Sequence, residues 1–234
     1  LRKRMGELRD NDPNHKHGAW ARTYAMHLNV NESIDSHMNL FGFEAGYDYQ
    51  VYSDCDNKAY LGLMAGYLYT DNIRTKNTRS FDGTGHANTP TVGLYGTWLN
   101  SDGWFVDATL RAFWSDMKLT GYTAQGGMIS FDADRYFTAG SLEAGRQLSW
   151  DITDYSKWVL EPKLELSYAY AKAKSFNARG ATNSKIRYGS TDSLSGRASV
   201  MAGYNHELEN GSILEPFVEI GLIEEWGGVT DINY

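Results

Sequence analysis

Charged side chains, with one amide, recur along this chain at alternate positions of extended stretches. The set comprises Glu44, Asp48, Asp107, Arg111, Glu143, Gln147, Glu161, Lys163, Glu165, Arg197, Glu215 and Glu219. Paired carboxylates are the usual tools of general acid–base catalysis. Glu161 and Glu165, however, are four apart, about 13 Å along a strand, too far for a close pair. Their spacing suits a solvated wall instead. Of the six histidines, His15 and His17 lie two apart in a polar turn without the further ligands a metal needs. No G-x-S-x-G elbow appears, and Gly126-Gly127 and Gly227-Gly228 are not followed by a helical pattern, so neither reads as a phosphate loop. No catalytic, metal or cofactor residue is assigned, and the chain is not expected to be an enzyme.

The elements that must position these charges are strands. From Trp158 to Tyr170 the even positions are Trp158, Leu160, Pro162, Leu164, Leu166, Tyr168 and Tyr170, and the odd ones include Glu161, Lys163 and Glu165. Strand side chains alternate between faces, so one face is apolar and the other charged. The row is long and aromatic at both ends. About 9–11 tilted residues cross a bilayer as a strand, with aromatic girdles at both interfaces. No run of about 18 apolar residues is present, so no helix is expected to span a membrane. The mean hydropathy of -0.51 does not exclude a barrel, because alternation averages to a polar sequence. The excess of 29 acidic over 22 basic residues argues against a nucleic-acid partner. The lone Cys55 excludes an internal disulfide framework.

Eight more stretches repeat the unit. They are Gly18 to about Leu28, Leu40 to Val51, Ala59 to Thr70, Thr91 to Leu99, a fifth from Trp104, Tyr136 to Trp150, an eighth from Leu194 to Tyr204, and a ninth from Leu214. The first carries Trp20, Arg22 and Tyr24 on one face, and its sidedness is open. In the sixth, Arg146 interrupts the apolar row. Polar loops are expected over residues 29–39, 71–89, 118–135 and 175–192, alternating with short turns at 54–57, 100–103, 151–157 and 209–212. Outer-membrane barrels alternate in this way, with the short turns periplasmic. Trp98, Trp104, Trp150, Trp158 and Tyr204 lie beside short turns. Tyr67, Tyr69, Trp114, Tyr168 and Tyr170 lie beside the long loops, making two belts.

If the apolar faces meet lipid, the charged faces line a water-filled lumen that solvates them. Its acidic excess would attract a basic segment such as the one carrying Arg2, Lys3, Arg4 and Arg9. Nine strands do not fit the even count of bacterial barrels, so an odd number of further strands is expected after Tyr234. No signal peptide is visible at Leu1, as in a mature chain or an internal fragment.

RMGELR at Arg4–Arg9, GAWAR at Gly18–Arg22 and FGFEAGYD at Phe41–Asp48, followed by GYLYTD from Gly66, EAGRQL from Glu143 and LEPFVEI at Leu214–Ile220, resemble the pertactin-like autotransporter β-domain of type V secretion. The resemblance covers essentially the whole chain; its force lies in the ordered series. It implies an all-β, transmembrane up-and-down antiparallel barrel of twelve strands, nine of them here, with a short N-terminal helix inside the pore. Residues 1–17 would be the end of that helix (Arg4, Glu7, Arg9) and a linker, and residues 18–234 the barrel. It further implies a monomeric translocator in the outer membrane of a Gram-negative bacterium that delivers its own N-terminal passenger to the cell surface. Its partners would be outer-membrane lipid, the passenger, the barrel assembly machinery and periplasmic chaperones. The alternatives from the residues are another outer-membrane barrel, a porin or membrane-embedded hydrolase, and a soluble carbohydrate-binding β-sandwich.

Overall fold

The computed structural model describes residues 16–31, 35–77, 81–123, 126–180, 184–208, 212–227 and 232–233. Alternating β-branched, aromatic and small residues favour strands, and among the described residues strands are the only regular elements. They are β1 (His17–Asn31), β2 (Asp35–Ser53), β3 (Asn57–Asn77), β4 (Phe81–Asn100), β5 (Trp104–Thr123), β6 (Met128–Arg146), β7 (Leu148–Thr153), β8 (Ser156–Ala171), β9 (Lys174–Gly180), β10 (Ser184–Tyr188), β11 (Thr191–Glu207), β12 (Ile213–Leu214), β13 (Phe217–Gly227) and β14 (Ile232–Asn233). Neighbours pair antiparallel in the order β1-β2-β3-β4-β5-β6-β8-β11, and β11 then pairs with both β12 and β13. β7, β9 and β10 continue β6, β8 and β11 across breaks of one or two residues, so the sheet has nine crossings. Among the described residues β1 and β13 each have a neighbour on one side only, and the sheet is a half-barrel. The segments holding Arg4, Glu7 and Arg9 lie outside the described residues.

One expectation needs correction. The polar stretches 29–39, 71–89, 118–135 and 175–192 are largely strand, not loop. β3 and β4 pair from Asn57↔Asn100 out to Asn77↔Phe81, and β5 and β6 out to Tyr122↔Met128. The hydropathy alternation fades there because polar and small residues such as Asp71, Asn72, Arg74 and Gly85 fill both faces, while the backbone ladder continues and Ile73, Ala87 and Ala133 stay buried on one of them. What alternates between the two ends is therefore how far the hairpins project.

Alternation fixes sidedness in between. Leu164 is 67% exposed and Leu222 82%, whereas Glu161 and Asp48 are at 0%. Phe41, Phe43, Leu61, Leu63, Val92, Leu94, Leu110 and Leu142 share the exposed face. The charged face is concave. Trp20 on β1 reaches Tyr95 on β4, and Arg111 on β5 reaches Glu44 on β2. Each link crosses three strand steps, about 14 Å in a flat sheet. Curling of the sheet brings such groups together.

Rings on this inner face lie opposite glycines. Tyr24 pairs in register with Gly42, Trp20 with Gly46, Tyr95 with Gly62 and Phe105 with Gly145. A Cβ at any of the four would collide with its partner's ring. Omitting one side chain lets an aromatic lie flat where the curved wall leaves little radial room. Gly62→Val should therefore expel Tyr95 and lower stability by about 1–3 kcal/mol, read by urea unfolding in lipid vesicles, with Tyr95→Leu relieving part of the loss.

The turn between β2 and β3 is held by Asp54. Its carboxylate accepts from the Tyr52 hydroxyl (2.6 Å) and from the backbone N–H groups of Asp56 (2.8 Å) and Asn57 (2.6 Å). These donors, Tyr52 foremost, hold the Asp54 carboxyl below its ordinary value near 3.8. A lowered carboxyl contributes stability above its unfolded value, and that contribution is lost as pH falls through the folded one. Asp54→Asn should thus flatten the acid limb of a pH–stability curve measured below about pH 4 and leave the neutral-pH shape unchanged.

Candidate functional site

The inner face holds two polar clusters. The first spans β1 to β5. Glu44 is 2% exposed and takes Arg22 on one oxygen, through Nε at 2.9 Å and Nη2 at 2.6 Å, and Arg111 on the other. Trp20 Nε1 donates to the Tyr95 hydroxyl (2.7 Å), which donates to Asp48 (2.8 Å). A buried carboxylate needs such partners to stay charged.

The second cluster spans β5 to β13 and begins from register. Asp107 stands opposite Glu143, Glu143 opposite Glu165, and Glu165 opposite Arg197. Three like charges in one row repel, and one guanidinium answers two of them. Arg197 lies 3.5 Å from Glu143, 3.1 Å from Glu165 and, across β13, 3.1 Å from Glu219. Lys163 adds a contact of 3.2 Å to Glu219, and Gln147 donates to Glu161 at 3.3 Å. Glu215 is half-buried at the break between β12 and β13. Seven carboxylates (Glu44, Asp48, Asp107, Glu143, Glu161, Glu165 and Glu219) thus share this face with Arg22, Arg111, Lys163 and Arg197.

Of the twelve residues picked out by alternation, eleven join these contacts and registers on the concave face, and Glu215 stands in the break between β12 and β13. Arg22, Trp20 and Tyr95 were missed. The first strand's sidedness was open from its own sequence, and only the partner across β2 decides it. Tyr95 falls on the face opposite Leu94 and Val92, but an uncharged ring there carries no sequence signal of a buried donor.

On the outer face Trp98, Trp104, Trp150 and Trp158 stand exposed near the short turns, as do Trp114, Tyr168 and Tyr170 toward the projecting hairpins. Tyr204 is half-buried, tilted against Trp158 with centroids 5.3 Å apart. Arg146, the charge in the apolar row, lies over the Trp104 ring at 5.5 Å and donates from Nε to the Asp102 carbonyl at 3.1 Å. At a membrane border a long cation can keep its head in the polar zone.

A curled antiparallel sheet with a greasy convex face, aromatic borders and a charged concave face defines a transmembrane β-barrel domain. A sequence model of the autotransporter beta-domain matches residues 19–234, and the chain belongs to that family, whose members are outer-membrane proteins of Gram-negative bacteria that deliver an attached passenger. The pertactin autotransporter of Bordetella bronchiseptica is 30% identical over 239 residues, covering 100% of this chain and 24% of the relative. The BrkA autotransporter of Bordetella pertussis is 26% identical, covering 100% of this chain and 22% of the relative. The chain thus spans about a quarter of the length of the curated relatives it matches. The crystal structure of the BrkA beta domain superposes with a TM-score of 0.75 at 24% identity over 91% of this chain and 81% of that one. The transport unit of AIDA-I from Escherichia coli gives 0.63 at 15% identity over 95% and 73%. Both share the fold.

The Glu44 cluster gives a direct test. Glu44→Ala leaves Arg22 and Arg111 facing one another without their anion, which should cost about 1–3 kcal/mol. Urea unfolding in vesicles reads the loss, and adding Arg111→Met should recover part of it.

Proposed function

We propose that the concave face is the wall of a hydrated channel, with Glu44, Asp48, Asp107, Arg111, Glu143, Gln147, Glu161, Lys163, Glu165, Arg197, Glu215 and Glu219 lining it. Through it the chain's own N-terminal passenger crosses the outer membrane. The observation that carries this reading is the sorting of charge: Glu161 is turned wholly inward while Leu164, three residues along the same strand, is 67% exposed on the outer face. Carboxylates gathered on the face turned away from lipid call for water and cationic partners there.

The same carboxylates favour a basic segment in the lumen. Arg4 and Arg9, with Glu7 between them, supply one, so residues 1–17 are assigned to a pore segment and linker, and residues 18–234 to the wall. The segment would sit beside the carboxylates of this wall. No step consumes a nucleotide or uses a cofactor; the passenger folds outside and is thereby prevented from returning. The role of the wall is passive, and no catalytic residue is assigned. Trp98, Trp104, Trp114, Trp150, Trp158, Tyr168, Tyr170 and Tyr204 anchor the barrel at the two lipid interfaces. The barrel assembly machinery and periplasmic chaperones act on it during insertion, and the inserted domain is a monomer.

Arg197→Glu removes the cation that balances Glu143, Glu165 and Glu219. In planar bilayers it should raise the preference of the open channel for cations and change its conductance, and Arg111→Glu should act in the same direction. Unchanged selectivity in both variants would mean that these side chains do not face the conduction path.

A further inference from the structure

The outer face is not uniformly convex. A groove of about 760 Å³ crosses it, bordered at one end by Trp104 and Arg146 and floored by Ala144, Pro162 and Ala198. Register explains its shape. Ala144 and Ala198 both stand opposite Leu164, and Ala198 also opposite Leu222, so small side chains alternate with long ones and leave a trough. Apart from Arg146, and from Lys163 and Ser199, which are buried with Lys163 held by Glu219, the lining is apolar, as suits a hydrocarbon chain.

We propose that this groove holds one anionic phospholipid of the periplasmic leaflet, its acyl chain along the alanine trough and its phosphate on Arg146. Three observations fix the occupant. Trp104 and Arg146 stand opposite one another in register, beside the turn at Ser101–Gly103; short turns mark the periplasmic border, where lipid phosphates lie. Arg146 is oriented before any lipid arrives, because Trp104 lies under its guanidinium and Asp102 holds its Nε. Among the described residues no carboxylate lies within ion-pair distance of Arg146, so both terminal amino groups are left to an outside anion. A guanidinium fork matches a phosphate with two charge-assisted hydrogen bonds.

The full-length autotransporter, extracted from outer membranes into non-ionic micelles, can be titrated with phosphatidylglycerol or phosphatidylcholine of equal chain length and read by native mass spectrometry. The first phosphatidylglycerol should bind about fivefold more tightly than phosphatidylcholine, the scale of one cation near an anionic headgroup. Arg146→Gln should abolish that preference with far-ultraviolet circular dichroism unchanged, and Arg146→Lys should keep part of it. Ala198→Phe should weaken both lipids together by filling the trough. Equal affinity for the two lipids in the wild type, or a preference that survives Arg146→Gln, would overturn the headgroup assignment. Full binding in Ala198→Phe would overturn the acyl-chain assignment.

Discussion

A backbone that crosses lipid must satisfy its own N–H and C=O groups, and in a sheet it does so only through neighbouring strands. Once the ladder is fixed, side chains have no choice but to alternate. Every later feature follows from those two facts. Leu61, Leu94, Leu142, Leu164 and Val200 are driven to one side, and Glu44, Asp107, Glu143 and Glu161 to the other, by register alone. The ladder has no regard for the medium. It therefore continues past the bilayer into hairpins such as β3–β4, where the residues are mostly polar.

Curling the sheet then concentrates charge. Groups that would stand three strands apart converge over the lumen, and the structure answers with shared partners rather than isolated ion pairs. Glu44 uses both oxygens on two arginines, and Arg197 serves three carboxylates. Curvature also crowds the wall, which explains why rings such as Tyr95 and Phe105 lie over glycines in register. The inner face is thus both a charge network and a packing problem, and the two meet at Tyr95, which covers Gly62 while donating to Asp48.

Much of this could be read from the chain. Strand existence, sidedness from the second strand onward and the nine crossings all follow from period-two alternation, which the sequence states plainly at Trp158–Tyr170. The reach of the strands was not legible, because pairing beyond the membrane leaves no hydropathy signature. Arg146 illustrates a different limit. As a letter it breaks the apolar row, and only its place over Trp104 and beside Asp102 shows an interfacial cation. The partners of Glu44 were hidden for a third reason: Arg22 sits on a strand whose alternation is weak, and Arg111 is distant in sequence. Which charges meet across a curved sheet depends on curvature, and curvature is a property of the whole ladder.

Sidedness is the claim on which everything else stands, and a pair of spin labels measures it most directly. With Cys55 replaced by serine, single cysteines at Leu164 and at Glu161 are labelled in the vesicle-inserted protein, and their relaxation by oxygen and by a water-soluble nickel chelate is compared. The label at position 164 should respond to oxygen and ignore the chelate, and the label at 161 should do the reverse. A chelate-accessible 164 beside an oxygen-accessible 161 would contradict the account.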